Sequence, residues 1–329
     1  MAFPHTRSLA GIAGIVLVLG LAACGSSSSS GDGEGDDGPR DLVAGVIPVT
    51  DIGPVYMAEK NGVFEEHGFE LTLQQAGSST EIIQAMQSGQ VQIGYGGTTG
   101  VFQAIEGGVD LVIIAAASAT PDDPENGIND LLVTADSPLT SAKDLEGKKV
   151  AVNAPGGYTQ LLSDIAVKAD GGDPSKVQYV QMGVPDQPAA LESGAIDAFV
   201  AGEPFGTLGR EEKGFRTLAN PFVSLSDHAV VAGAWYALRE AVDADPELYG
   251  EIADTIDEAN AYALENDDEL RESIAEFTKI DPELAARIRL GSYGQLPLTA
   301  ENLQALADWS LELGYIQNPV DLDAIIWER

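Results

Sequence analysis

Segments typical of strands and of helices alternate along the chain beyond residue 40, and this order constrains the fold more than any other feature. Short apolar runs predict strands, and runs with helical spacing predict helices between them. The predicted strands are 42–47, 69–73, 91–95, 111–116, 150–152, 177–180 and 196–200. The predicted helices are 55–66, 80–87, 101–106, 159–170, 189–192, 205–211, one that begins at 246, and 301–313. This order predicts an α/β protein with parallel, doubly wound sheets that helices cover on both faces.

One sequence unit occurs twice, in residues 85–97 and again 105 positions later in residues 190–202. Each copy reads as the end of a helix, a Ser-Gly stop, a buried strand and a Gly-containing turn. Glycine suits the stop because it accepts the left-handed conformation at a helix C-terminus. Two interpretations stay open: a common unit met twice by chance, or two α/β lobes of the same construction. Since ligands of open α/β sheets bind beyond the carboxyl ends of the strands, two such lobes would place two sets of turns around one cleft.

The N-terminal segment 1–23 has the layout of a secretory signal peptide. Arg7 precedes an apolar run that is too short for a stable membrane span. The run ends in Leu-Ala-Ala-Cys24, which resembles the lipobox of bacterial lipoproteins, where the cysteine becomes the lipid-modified N-terminus. The alternative is a cysteine that merely follows an apolar segment, although Cys24 is the single cysteine of the chain. Residues 24–39 then form a flexible Gly/Ser/Asp tether, and we expect an extracytoplasmic protein held to the cell membrane by its lipid.

The net charge of the chain limits the classes of molecule that it can bind. Asp and Glu number 52 against 17 Lys and Arg, which gives a formal net charge of −35 at pH 7. Nucleic acid is excluded as a partner because its phosphates would be repelled. The acids are spread over predicted helices and loops. We interpret them as a solvated surface suited to salt, where screening is strong, rather than as an acidic functional patch.

Enzyme classes find little support in the sequence. The three histidines (His5, His67 and His228) and one cysteine provide neither a metal cluster nor a Cys–His pair. The chain contains no Gly-x-Ser-x-Gly elbow, and no phosphate-binding or dinucleotide-binding fingerprint follows a predicted strand. We therefore expect a protein that is not an enzyme and needs no cofactor or metal.

Two further segments carry a family resemblance. Residues 51–70, DIGPVYMAEKNGVFEEHGFE, and residues 141–153, SAKDLEGKKVAVN, occur in this order with the doubled unit. Together they resemble the ABC transporter substrate-binding proteins of the nitrate/sulfonate/taurine type, a group that includes binders of thiamine pyrimidine precursors. The resemblance implies the type II periplasmic binding protein fold, in which two lobes are joined by two hinge crossings. We place the crossings near 131–135 and 224–235.

The resemblance also implies a domain division and a function. Residues 40–130 together with 225–329 would form the first lobe, and residues 131–224 the second. We expect a monomer that captures a small molecule between the lobes, such as a sulfonate, nitrate, or a taurine-like or pyrimidine-like compound. It would deliver this molecule to an ABC permease and ATPase complex. The alternative is a sensor lipoprotein that presents the same kind of ligand to a signalling partner.

The turns after the predicted strands supply the candidate ligand-binding residues. In the first lobe these are Thr50, Asp51, Gly97, Thr98, Thr99 and Ser118. In the second lobe they are Asn153, Gly156, Gly157, Tyr158, Thr159, Glu203 and Pro204, and His228 lies near the second crossing.

The turn from Gly156 to Thr159 is the most interpretable of these. Two glycines let backbone N–H groups approach a ligand, and the helix that follows presents its positive N-terminus, which suits an oxyanion. The same residues also suit a plain helix cap. Thr98 and Thr99 have the same two interpretations, because they either donate hydroxyls to a ligand or cap the next helix.

The candidate acids and the histidine each have two interpretations. Glu203 either binds an ammonium or a heterocycle N–H, or is an acid in the first turn of a helix. Asp51 carries the same ambiguity. A lone histidine such as His228 is more often structural than a ligand contact.

Overall fold

A computed structural model describes residues 38–121, 123 and 126–329, so the predicted signal peptide, Cys24 and most of the tether lie outside the described residues. The described part contains ten strands: β1 Arg40–Val46, β2 Phe69–Gln75, β3 Ile93–Gly97, β4 Leu111–Ala119, β5 Asn129–Val133, β6 Lys149–Val152, β7 Gln178–Gln181, β8 Ala198–Gly202, β9 Arg216–Ala219 and β10 Val231–Leu238.

The described residues also form fourteen α-helices. They are α1 Gly53–Lys60, α2 Val63–Glu66, α3 Ser79–Gln87, α4 Thr98–Glu106, α5 Tyr158–Ala169, α6 Gln187–Glu192, α7 Phe205–Thr207, α8 Phe222–Leu225, α9 Arg239–Ala244, α10 Pro246–Glu265, α11 Asp267–Thr278, α12 Pro282–Ala285, α13 Ala300–Glu312 and α14 Leu322–Ile325. The single helix predicted over 55–66 is divided into α1 and α2, because Gly62 adopts a positive φ of 79° between them.

The strands form two five-stranded sheets of the same plan. The first has the order β2-β1-β3-β10-β4 and the second β7-β6-β8-β5-β9. Both are mixed rather than parallel as predicted, since β10 runs antiparallel to β3 and β4, and β5 runs antiparallel to β8 and β9. We call the structure built on each sheet a lobe, numbered as its sheet. The prediction of an α/β fold with two lobes is confirmed.

The doubled sequence unit occupies the same place in both sheets. Its first copy is the end of α3 with β3, and its second copy is the end of α6 with β8. Gly89 and Gly194, the glycines of the two Ser-Gly stops, have almost identical φ angles of 74° and 73°. Each unit therefore supplies the middle strand of its own sheet, and each ends on a glycine, Gly97 or Gly202.

The two antiparallel strands begin where the parallel strands end. Gly233 of β10 pairs with Gly97, and Asn129 of β5 pairs with Gly202. The chain passes from the first sheet to the second between β4 and β5, and returns between β9 and β10. The crossings were predicted near 131–135 and 224–235. Most of the first range lies in β5, and the end of the second range lies in β10.

The apolar runs that predicted strands lie in the core of the protein. All nine residues of β4 are buried, and Trp235 and Tyr236 of β10 are fully buried beside them. Burying a large apolar side chain contributes roughly 1.5–3 kcal/mol, so these two buried strands contribute strongly to the stability of the first lobe. Helices α10 and α11 pack on α1 and cover this lobe. No helix in the described part is both long and apolar enough to cross a membrane.

Candidate ligand-binding site

A cavity of about 90 Å³ lies between the two lobes, at the carboxyl ends of their parallel strands. Both lobes contribute to its wall. Six of the predicted residues line it: Asp51, Gly97, Asn153, Gly157, Tyr158 and Thr159. The wall also contains residues that were not predicted, among them Ser79, Thr80, Tyr95, Gln103, Asn129 and Gly233.

Two helices, one from each lobe, begin at this cavity without a capping side chain. Gly97 is the N-cap of α4, Gly157 is the N-cap of α5, and neither helix has a side-chain cap. The first N–H groups of a helix have no partner within the helix and carry its positive partial charge. Since both N-cap glycines line the cavity, it receives two positive helix ends from opposite sides.

Local sequence explains where α5 starts and stops. Gly156 has a positive φ of 75°, which turns the chain back, and its N–H donates to the side chain of Gln160 over 2.8 Å. Leu161, Leu162 and Ile165 then recur at helical spacing and are fully buried. The helix ends at Ala169, and Gly171 beyond it adopts a φ of 81°, as C-terminal glycines do.

A third helix, α3, begins at the cavity but is capped. The Ser78 hydroxyl accepts from the backbone N–H of Glu81 at 3.3 Å, and the Glu81 carboxylate accepts from the N–H of Gly77 at 2.8 Å. This reciprocal pair resembles a capping box and fixes the start of the helix. It leaves Ser79 and Thr80 in the first turn, where they line the cavity.

Several hydroxyl groups near the helix ends lack partners. Among the described residues, the hydroxyls of Thr98, Thr99 and Tyr158 are buried without a hydrogen-bond partner. Such groups are costly to bury and usually find a partner. The Tyr158 hydroxyl belongs to a residue of the cavity wall, so a ligand is a natural partner for it.

Asp51 is the acid of the cavity wall. Its carboxylate accepts hydrogen bonds from the hydroxyls of Ser118 and Tyr95. Burial raises the pKa of Asp51 above its usual value, and these hydrogen bonds oppose the shift. Gly233 allows this arrangement, because a Cβ there would lie 2.8 Å from the Ser118 Oγ and 3.1 Å from the Tyr95 hydroxyl.

Direct contacts join the lobes around the cavity. Gly97 approaches Tyr158 so closely that a Cβ on Gly97 would lie 2.7 Å from the Tyr158 Cβ. The Asn153 amide donates to the carbonyl of Gly77 at 3.5 Å. Further out, Tyr315 donates to the buried carboxylate of Asp164, and Lys168 pairs with Glu312 at 2.7 Å. These contacts belong to an arrangement in which the lobes are closed on each other.

The remaining predicted residues lie outside the cavity wall. Thr50 and Ser118 are buried just behind Asp51, where the Thr50 carbonyl accepts from the hydroxyl of Tyr293 at 3.2 Å. Thr98 and Thr99 are buried in the first turn of α4, and Gly156 precedes the N-cap of α5. Pro204 is buried beside Glu203.

Glu203 belongs to a buried charge network rather than to the wall of the cavity. Its side chain is 0% exposed and accepts from Arg210 at 2.6 Å. It also accepts from the backbone N–H and the hydroxyl of Thr207, both at 3.0 Å. Arg210 reaches Asp130 at 2.9 Å with its other nitrogen. Burial raises the pKa values of both acids, and Arg210 opposes this shift as the shared partner of the two carboxylates.

His228 lies away from the cavity. Its side chain is exposed and pairs with Asp227 at 2.9 Å and with the hydroxyl of Ser226 at 3.1 Å. It borders a separate shallow pocket with Phe222 and Leu225. In the part of the chain that the structure describes, no group of three His, Cys, Asp or Glu residues is placed to hold a metal ion.

Two alpha/beta lobes around such a cavity match the periplasmic binding protein fold of structurally similar proteins. The chain belongs to the NMT1/THI5-like family, whose model matches residues 49–270. The family resemblance predicted from residues 51–70 and 141–153 is thereby confirmed.

Individual relatives have low sequence identity to this chain but align with most of its length. The Brucella abortus (strain 2308) protein BAB2_1146, provisionally named a binding protein, is 24% identical over 279 residues, covering 80% of this chain and 83% of the relative. The alkanesulfonate-binding protein SsuA from Xanthomonas axonopodis pv. citri superimposes with a TM-score of 0.75 at 18% identity, over 89% of this chain and 99% of SsuA.

Other proteins with this fold include both a binding protein and an enzyme, according to their names. The periplasmic nitrate-binding protein NrtA from Synechocystis PCC 6803 gives a TM-score of 0.72 at 16% identity, over 88% of this chain and 86% of NrtA. The desulfurization enzyme DszB gives 0.62 at 16% identity, over 87% of this chain and 96% of DszB. The likeness therefore defines the fold alone.

Proposed function

We propose that the protein is an extracytoplasmic solute-binding lipoprotein that captures a small molecule between its lobes and delivers it to an ABC importer. One observation carries this proposal. The cavity lies between the lobes and receives the uncapped N-termini of α4 and α5 from opposite sides. A ligand held there would contact both lobes at once, so ligand binding would favour the closed arrangement.

The cavity limits the size and chemistry of the ligand. Its volume of about 90 Å³ is smaller than the roughly 150 Å³ cavity that admits benzene, so a compact molecule fits best. The two helix ends favour an oxyanion, for which backbone N–H groups are good donors. Sulfonates, nitrate and taurine-like molecules meet both conditions, and the names of SsuA and NrtA refer to ligands of this kind. A pyrimidine-like ligand needs more room, which opening of the lobes would provide.

The delivery and location parts of the proposal rest on the sequence. The predicted signal peptide of residues 1–23, the lipid on Cys24 and the tether to residue 39 would hold the protein outside the membrane. We propose two moving lobes that divide as expected from the sequence, residues 40–130 with 225–329 and residues 131–224, except that Asn129 and Asp130 move with the second lobe because β5 belongs to its sheet. The lobes would turn about the β4–β5 and β9–β10 connections. Recognition of the closed form by the permease would then couple capture to import, whereas a signalling partner would make the protein a sensor.

A thermal-shift screen of the purified protein tests the binding claim. The panel contains nitrate, bicarbonate, alkanesulfonates, aminosulfonates, simple amines and aminopyrimidines. A compound at 100 times its Kd should stabilise the folded protein by about 2.7 kcal/mol and raise its melting temperature. Recovery of the compound unchanged after incubation would separate a binding protein from an enzyme. A panel without any saturable shift would contradict the proposal.

A further inference from the structure

The cavity wall is unusual in its charge. Asp51 is the single side chain with a formal charge among the wall residues of the described chain, and Lys, Arg and His are absent from that wall. An anion such as nitrate would therefore meet a carboxylate and no compensating cation. The helix ends alone would have to overcome this repulsion, and each helix end is worth only about 0.3–2 kcal/mol.

Other buried acids show how this protein normally treats a carboxylate. Glu203 and Asp130 share Arg210, and Asp130 also contacts Arg289 at 3.2 Å. Asp51 differs, because the cavity wall around it contains no Lys, Arg or His and its carboxylate is held by hydrogen bonds from the hydroxyls of Ser118, Tyr95 and Thr50 and from its own backbone. Buried charges are normally paired, so the cavity lacks one positive charge that a bound molecule can supply.

Tyr158 lies near Asp51 in the cavity wall and belongs to the opposite lobe. It lines the cavity, its hydroxyl has no partner, and its pKa is raised by burial and further by the nearby Asp51 carboxylate. Tyr95 lines the same part of the wall. A tyrosine hydroxyl can accept an N–H, and a tyrosine ring attracts a cation. Carboxylate, hydroxyl and aromatic ring together suit a protonated nitrogen and suit an oxyanion poorly.

We propose that Asp51 is the specificity-determining residue of the site and that the natural ligand carries a protonated nitrogen that pairs with it. This inference rests on the proposed function and narrows it. The site would select compact amine-bearing molecules over nitrate and over alkanesulfonates that lack an amine. When a ligand also has an oxyanion, that end would face the helix termini and the nitrogen would face Asp51.

The experiment compares molecules that differ only in the amine. Taurine is paired with ethanesulfonate, and 3-aminopropanesulfonate with propanesulfonate, while nitrate and ethylamine test each charge alone. Affinities are measured by calorimetry at pH 7 on the wild-type protein. We expect the amine-bearing member of a pair to bind about 30-fold more tightly, the size of a charge-assisted hydrogen bond in a dry site.

Asp51→Asn tests the residue itself. Asparagine keeps an oxygen that can accept from Ser118, so the variant should fold, which its melting temperature checks. It should bring the affinity ratio within each pair close to one. Asp136→Asn, which removes an exposed acid, is the matched control and should leave the ratio unchanged. A ratio that survives Asp51→Asn would overturn the inference.

The pH dependence gives an independent readout on the wild-type protein. Sulfonates stay ionised and these amines stay protonated between pH 4 and about 8, so ligand titration does not contribute. Of the titratable groups near Asp51, Tyr95, Tyr158 and Tyr293 all have pKa values raised by burial and stay neutral in this range. Affinity for the amines should fall as pH drops through the raised pKa of Asp51, because protonation removes its charge. A flat profile would contradict the inference.

The two proposals fail in different ways. Tight binding of nitrate or of the plain alkanesulfonates, equal to or better than their amine-bearing partners, would overturn the role of Asp51 but leave solute binding intact. Selective binding of the amines would support both. A complete lack of binding across these compounds would count against both proposals.

Discussion

Replacing Gly157 with aspartate is expected to abolish binding of oxyanion-bearing ligands while leaving the fold intact. Gly157 is the N-cap of α5 and already has an extended ψ of −179°, so a side chain can be accommodated by the backbone. Aspartate is among the best N-cap residues and would accept from the first N–H groups of α5. Its carboxylate would then occupy the place of the ligand's oxyanion and repel it.

Affinity for the strongest-binding oxyanion of the panel should fall roughly 100-fold or more, because charge-assisted hydrogen bonds are lost and repulsion is added. Gly157→Asn is the matched control. It fills the same space and meets the same close contact, since any Cβ here lies 3.1 Å from the Ala154 carbonyl, but it adds no charge. The asparagine variant should retain clearly more affinity than the aspartate variant. Undiminished binding by Gly157→Asp would remove this helix end from the site.

Replacing Arg210 with methionine should cause the largest loss of stability. Arg210 is the shared partner of Glu203 and Asp130, whose side chains are 0% and 3% exposed. Removing one partner from a buried ion pair leaves an uncompensated charge, which typically costs about 3–5 kcal/mol. Urea unfolding at pH 7 should show a loss of this size, although Asp130 keeps its contact with Arg289.

The pH dependence of this loss has a definite sign. Without Arg210, the pKa values of the two acids rise further above their unfolded values, so each acid destabilises the folded state above its unfolded pKa. The loss should shrink as pH is lowered from 7 toward 5, where protonation removes the unpaired charges. Arg287→Met is the control, since Arg287 pairs with Glu211 at 2.6 Å on the surface, where an ion pair contributes little to stability. Equal losses in the two variants would contradict a special role for the buried network.

The predictable part of the fold came from local patterns. The apolar run 111–116 of β4, the helical spacing of α5 and the doubled unit are each contained in a short stretch of sequence. The strands β5 and β10 were not predicted as sheet members, because each inserts antiparallel between strands that lie far away in the chain. Asn129 and Gly233, at their starts, therefore reach the cavity without a sequence signal of their own.

The candidate site was likewise predictable where its residues lie next to a recognisable strand. Gly97 ends a strand, and Asp51 and Gly157 lie in the connections that follow strands, so the rule that ligands bind beyond the carboxyl ends pointed to these three residues of the cavity wall. The same rule applied to the turn after β2 would have found Ser79 and Thr80. Glu203 also follows a strand, but its carboxylate turns inward because Arg210, placed by a π-helical turn at Leu208–Glu212, lies beneath it. That partner could not be inferred from the spacing.

The most direct test of solute capture between the lobes is a crystal structure of the protein with the compound that gives the largest thermal shift. Density for one molecule should fill the cavity, with any oxyanion within hydrogen-bond distance of the first N–H groups of α5 and any protonated nitrogen beside Asp51. Density elsewhere, for example in the surface groove beside Trp327 and Leu264, or an empty cavity at saturating ligand, would contradict it.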